Sequence, residues 1–128
     1  MKYLLILFKM NIYSETINEI QNDCFHCVNS VTLESKFVYK IKTGAFLNLT
    51  NSTIIIDRVD NIEAESFDGM TSSVLTLGKN LKSINIDADA FVGIGTGNVI
   101  NLSSILFNSA SFQTAYANKS NPITINLI

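Results

Sequence analysis

Cys24-Phe25-His26-Cys27 is the densest chemical cluster in the chain, a C-x-x-C with a histidine inside it. Thiolates and an imidazole bind zinc, yet a closed zinc site takes four ligands, and two cysteines and one histidine are all that 128 residues supply. Thioredoxin-type redox chemistry needs the motif to open a helix in a βαβ setting, and nothing around residue 24 has that pattern. A local disulfide between Cys24 and Cys27 is open to an oxidising compartment, but it closes so short a loop that it contributes little stability. No metal and no cofactor is expected.

Other candidate chemistry thins out in the same way. One histidine leaves few parts for a Ser-His-Asp nucleophile, and no catalytic residue is assigned. Acids gather at Glu63, Glu65 and Asp68 and again at Asp87 and Asp89; they fall where the chain must face solvent and need no calcium to explain them. Gly93-Ile-Gly95-Thr-Gly97 imitates a phosphate loop but leads into a strand rather than a helix N-terminus. Nine Lys and Arg against eleven Asp and Glu give a net charge of −2, with Arg58 the one arginine, which argues against a nucleic-acid surface.

The elements that position these residues come from a repeat. An apolar residue, three mixed residues, a small residue and Phe recur at Ile20–Phe25, Ile41–Phe46, Ile62–Phe67, Ile86–Phe91 and Phe107–Phe112. The phenylalanines Phe25, Phe46, Phe67, Phe91 and Phe112 lie 21, 21, 24 and 21 residues apart, a period that belongs to solenoids. Between them run alternating stretches, Val31-Thr-Leu33, Ile54-Ile-Ile56, Leu75-Thr-Leu77, Ile100-Asn-Leu102 and Ile123-Thr-Ile125-Asn-Leu127. Each reads as a strand with alternate residues inward, from the first, and those between them in solvent. One coil cannot bury its own apolar side, so stacked coils must form the core, with the phenylalanines as an aromatic ladder through it. In that frame Cys24 occupies the small inward position held elsewhere by Ala45, Ser66, Ala90 and Ser111. Seventeen Ile, fifteen Asn and a single Pro suit short rungs joined by polar turns.

The expected domain is one solenoid over residues 15–128, of about five repeats and open to being an incomplete array. Residues 1–14 read two ways. Lys2 followed by Tyr3-Leu-Leu-Ile-Leu-Phe8 makes a weak signal peptide, interrupted at Lys9, while Leu5-Ile-Leu7 with Ile12 and Ile17 makes another rung. No stretch is long enough to span a bilayer. Sequons at Asn48, Asn51, Asn101 and Asn118 suit a secreted glycoprotein, so an extracellular location is the expectation.

Ile86-Asp-Ala-Asp-Ala-Phe91 followed by Ile100-Asn-Leu102, and Leu75-Thr-Leu77-Gly-Lys-Asn80, resemble the leucine-rich repeat family. The likeness covers residues 17–128 and is similar to the irregular, short-period subtype of bacterial surface antigens, with small residues such as Ser52, Ser73 and Gly97 in place of the family's middle leucine. It implies a parallel β-sheet on one face, irregular or short helical convex turns, and protein recognition on the concave strand face.

The outward columns are then Thr32, Ile55, Thr76, Asn101 and Thr124, beside Glu34, Asp57, Gly78, Ser103 and Asn126, with Lys36, Arg58 and Lys79 alongside. A protein partner is expected on Thr32, Glu34, Ile55, Asp57, Arg58, Thr76 and Lys79, in the rungs before the sequon at Asn101. Two alternatives stand beside this non-enzymatic module. One is a self-assembling unit that stacks through the strands near Leu5 and Ile123; the other is a polysaccharide-acting parallel β-helix with Asp57, Glu34 or the convex acids as catalysts.

Overall fold

Period-two alternation produces the strands, and they run further than triplets. The computed structural model describes residues 10–79, 84–117 and 123–128. Here β1 (Met10–Ile20), β2 (Val31–Ile41) and β3 (Thr53–Ile62) are ten or eleven residues long. β4 (Val74–Leu77), β5 (Asn85–Ile86), β6 (Val99–Leu102) and β7 (Thr124–Leu127) are shorter, and two short helices, α1 (Ser104–Phe107) and α2 (Ala110–Ala117), precede β7. Every strand pairing is parallel, in the order β1-β2-β3-β4-β6-β7, with β5 beside β3. The chain is a parallel β-solenoid of about five turns with little helix.

A corner explains why the long strands were read as triplets. In β2, Val31, Leu33 and Ser35 are buried, and then Val38 and Ile41. The step of three between Ser35 and Val38 breaks the period, because the strand bends there. The Ser35 hydroxyl donates to the Phe37 carbonyl at 3.1 Å, and Ser14 does the same to Thr16 one coil earlier, satisfying a backbone acceptor at the bend. Each long strand therefore has a first arm (31–36 in β2, 53–57 in β3) and a second arm (37–41 and 58–62).

Between arms the chain turns through residues 22–27, 43–48 and 64–69. These arcs stack by their backbones: the N–H groups of Phe25, Phe46 and Asn48 donate to the carbonyls of Ala45, Ser66 and Asp68 on the next coil at 2.8–2.9 Å. Tight turning needs left-handed residues, and they recur in register. Cys27, Asn48, Gly69 and Gly93 form one such column, with φ from 55 to 77°, and Ser30, Asn51, Ser72 and Gly97 another, from 50 to 74°. Glycine and asparagine adopt this region at least cost, so Gly93 and Gly97 of the GIGTG stretch are turn residues. Gly95 serves closeness instead: a Cβ there would lie 2.6 Å from the Met70 carbonyl oxygen and 2.5 Å from Thr71 Cγ2. Gly95→Ala is expected to cost about 1–3 kcal/mol by forcing the two coils apart, read as a lower urea midpoint at unchanged slope.

The core is one cluster threaded by the expected aromatic ladder. Phe25, Phe46, Phe67 and Phe91 stack at 5.3–5.5 Å between centroids with their planes within 10° of parallel. Phe112 continues the column but turns edge-on, 89° to Phe91, because α2 replaces the last arc and brings Tyr116 against it. A second, polar ladder runs through buried Ser52, Ser73 and Asn98. Ser52 Oγ accepts from the Val31 N–H, Ser73 Oγ from the Ser52 N–H, and Asn98 Oδ1 from the Ser73 N–H, at 3.0–3.1 Å.

Two expectations need correcting. Cys24 is exposed, although Ala45, Ser66, Ala90 and Ser111 at the matching position are buried. That position looks back toward the preceding coil, as the Ser66 hydroxyl does by donating to the Lys42 carbonyl at 3.3 Å, and among the described residues no arc precedes Cys24. The strand register is also shifted by two residues at both ends: Leu33, Ile54, Leu75, Ile100 and Ile125 align, so the triplets are Leu33-Glu-Ser35 and Ile125-Asn-Leu127. A slip of two keeps every side chain on its face, so alternation alone does not detect it. The fifth repeat unit, Phe107–Phe112, runs from the end of α1 through a turn at Asn108 and Ser109 into α2, a short helical turn of the kind expected. Residues 1–9, including the Leu5-Ile-Leu7 rung, lie outside the described residues, as do Asn80 and Asn118.

Candidate functional site

The first arms of successive coils present three outward columns. Asn11, Thr32, Thr53, Val74, Val99 and Thr124 form one, and Tyr13, Glu34, Ile55, Thr76, Asn101 and Asn126 the next. At the third, Asp57 stands level with Lys36, between the paired positions Ser35–Ile56 and Phe37–Arg58. Glu34, Ile55 and Thr76 are thus direct neighbours, Thr32 lies two residues away on the same face, and Lys79 is exposed just past β4.

Arg58 is not on this face. The corner after Asp57 carries it onto the second arm, where it donates to Asp60 through Nε at 3.0 Å and Nη2 at 3.3 Å and lies 4.9 Å over the Phe37 ring. The expected cationic strip of Lys36, Arg58 and Lys79 is therefore broken: sequence alignment by triplets had no way to register the bend.

A groove of about 380 Å³ opens between the first coils, lined by Tyr13, Ser14, Glu15, Glu34, Ser35, Lys36 and Asp57. Lys36 Nζ is 3.5 Å from Glu15 Oε2, with both side chains largely in water, so the pair adds little stability. Glu34 and Asp57 form no ion pair among the described residues. Tyr13, 69% exposed, forms one wall. Sequence reading missed Tyr13 and Glu15; the available signal was the 21-residue offset that places Tyr13 on Glu34 and Glu15 on Lys36.

Toward the C-terminus the face becomes neutral and self-satisfied. Asn126 Nδ2 donates to Asn101 Oδ1, and Asn101 Nδ2 donates to Thr76 Oγ1, both at 2.9 Å. The Asn101 nitrogen that a glycan would occupy is already engaged. Asn48 and Asn51 are exposed on the turn side, away from the groove.

The remaining candidates do not join this site. Cys24, His26 and Cys27 are exposed on the first arc with both thiols free. The arc acids serve backbone groups: Glu63 Oε1 accepts from the Thr43 N–H of the preceding coil at 3.1 Å, and Asp87 Oδ1 accepts from the Asp89 N–H of its own turn at 2.9 Å. Among the described residues no helix is long and apolar enough to cross a membrane. Against protein-family models, curated proteins and solved structures, the chain has no match.

Proposed function

We propose that the chain is a non-enzymatic, leucine-rich-repeat-like recognition module of the extracellular space, and that it binds a protein partner on the outer face of the first arms. The observation that carries this is the groove between the first described coils, where Glu34 and Asp57 form no ion pair among the described residues and stand beside the exposed Tyr13 ring and the half-buried Ile55. Aromatic and apolar side chains supply contact area, and free charges set partner choice and register. The hydrogen-bonded sheet holds all of them at fixed spacing, so a partner meets a surface that loses little entropy on binding. The Thr76–Asn101–Asn126 ladder bounds the site, because the face there carries no charge and its amides bond to one another.

Immobilised chain is challenged with a mixture of extracellular and cell-surface proteins, and the retained proteins are quantified by mass spectrometry. The double variant Glu34→Lys/Asp57→Lys is expected to retain the partner at least tenfold less, about 1.4 kcal/mol of binding, while Gln113→Lys on α2 retains it fully. Equal retention by the double variant, or no protein enriched by the unaltered chain, refutes the reading.

A further inference from the structure

The second arms carry polar chemistry that the proposed protein face does not use. On β2 and β3 this arm presents Tyr39, Lys40, Arg58, Asp60 and Asn61 outward, and β5 adds Asn85 by pairing with Asn61 and Ile62. A cleft of about 240 Å³ is lined by Tyr39, Arg58, Asp60, Asn61, Ile84 and Asn85. A second depression, of about 340 Å³, adjoins it across Asn61 and Asn85 and is bounded by Lys40, Glu63 and Asp87.

The polar groups of the first cleft are held before any ligand arrives. Arg58 is fixed by two bonds to Asp60 and by the Phe37 ring beneath it. Asn61 Nδ2 donates to the Tyr39 carbonyl at 3.0 Å, and Asn85 Nδ2 donates to Asn61 Oδ1 at 3.2 Å. These bonds use only part of each group's capacity. Among the described residues, Asn85 keeps its Oδ1 acceptor and one N–H, Arg58 keeps N–H donors, and each Asp60 oxygen keeps a lone pair. Donors and acceptors therefore sit side by side on rigid strands, next to a Tyr39 ring that is 44% exposed.

We infer that this cleft binds an uncharged oligosaccharide, taking one sugar ring against Tyr39 and its neighbour across the Asn61–Asn85 pair. Adjacent hydroxyls of a sugar each donate and accept, which matches paired amide, carboxylate and guanidinium groups. The C–H face of the ring matches the aromatic wall. The charges of Arg58 and Asp60 offset each other within their own pair, and Lys40 Nζ, 5.9 Å from the Tyr39 ring centroid, is a single cation beside the cleft rather than the basic cluster that selects a polyanion. A protein hot spot would instead need a cluster of apolar anchors, and here Tyr39 and Ile84 are the only large apolar side chains in the lining. The volume, below the roughly 300–1,000 Å³ of sites for drug-sized ligands, suits a single ring of a longer chain. The inference is independent of the protein-binding reading, since it concerns the other arm of the coil.

The test is a two-dimensional amide NMR titration of the full 128-residue chain with maltohexaose, cellohexaose, xylohexaose and chitohexaose, each to about 10 mM, with a dissociation constant on the order of 1 mM expected. At least one is expected to give saturable shifts confined to Tyr39, Lys40, Asp60, Asn61 and Asn85. Tyr39→Ala and Asn85→Ala, both at exposed positions and so without effect on the fold, are each expected to weaken that binding about tenfold, and Glu34→Ala to leave it unchanged. No saturable shift with any of the four, shifts centred on Glu34 and Tyr13, or full affinity in both cleft variants overturns the inference.

Discussion

Phe67→Ala lowers the unfolding free energy by about 3–5 kcal/mol, the cost of emptying a large buried aromatic site. Phe67 is fully buried and stacks on both sides, 5.5 Å from Phe46 and 5.4 Å from Phe91. Truncation thus removes two ring contacts and leaves a cavity between coils whose backbones are hydrogen-bonded around it. Phe46 N donates to Ser66 O and Met70 N to Phe67 O, so the arcs have little freedom to collapse inward. A domain of this kind has roughly 5–15 kcal/mol in total, so the variant gives up a large share of it. Because each coil is stabilised by its neighbours, loss at the central ring also uncouples the two ends. The urea transition of Phe67→Ala is expected to broaden as well as shift. Phe25→Ala provides the comparison: among the described residues that ring stacks on Phe46 alone, and it is 8% exposed, so its loss costs about half as much. Equal costs at the two positions would mean that stacking continuity contributes nothing beyond local burial.

The ladder was legible because each coil repeats one demand. A ring that must meet the same ring one coil away has to recur at the coil period, and the five phenylalanines do. The inward residues of the first arms were legible for the same reason, and Ile54, Ile56, Leu75, Leu77, Ile100 and Leu102 are all buried. What stayed hidden depends on bends and on register. Val38 and Ile41 follow Ser35 at steps of three, which reads as the end of a strand when it is a corner. The same corner hid the second arm, and with it the change of face between Asp57 and Arg58. Register by two residues was hidden because both placements of Val31-Thr-Leu33 bury the same kind of residue. Of the candidate site, Glu34, Ile55, Asp57 and Thr76 lie on one face, whereas Tyr13 and Glu15 sit in a coil whose apolar pattern fits a leader as well as a rung and so does not mark them as strand residues. The buried serines looked like gaps in an apolar pattern, since a polar ladder announces itself only through the backbone groups it serves.

Those serines end at the residue with the most to lose. Asn98 is 1% exposed and makes three bonds: Oδ1 accepts from the Ser73 N–H at 3.0 Å, and Nδ2 donates to the carbonyls of Met70 at 2.8 Å and Gly95 at 3.0 Å. Its column spacing also changes, for Ser52 to Ser73 is 21 residues and Ser73 to Asn98 is 25. The longer coil carries the GIGTG turn, and the extra reach of the amide ties that turn back to the coil before it. Asn98→Ala removes all three bonds and leaves the Ser73 N–H without its acceptor in a dry interior, while the Met70 carbonyl keeps the Gly95 N–H at 2.8 Å, for a loss of about 2–4 kcal/mol. Asn98→Ser tests the reason. A serine there can accept from the Ser73 N–H, as Ser73 accepts from the Ser52 N–H at 3.1 Å, but it falls short of at least one of the two carbonyls. It is expected to recover about half of the loss. Asn98→Asp keeps the acceptor for Ser73 but turns a carboxylate oxygen toward the Met70 and Gly95 carbonyls, so it is expected to fare no better than alanine at neutral pH. The ordering Asn above Ser above Ala and Asp, read from urea midpoints, follows if the amide joins the lengthened coil to its neighbour. Alanine equal to asparagine would mean that water or a shifted turn serves those three backbone groups instead.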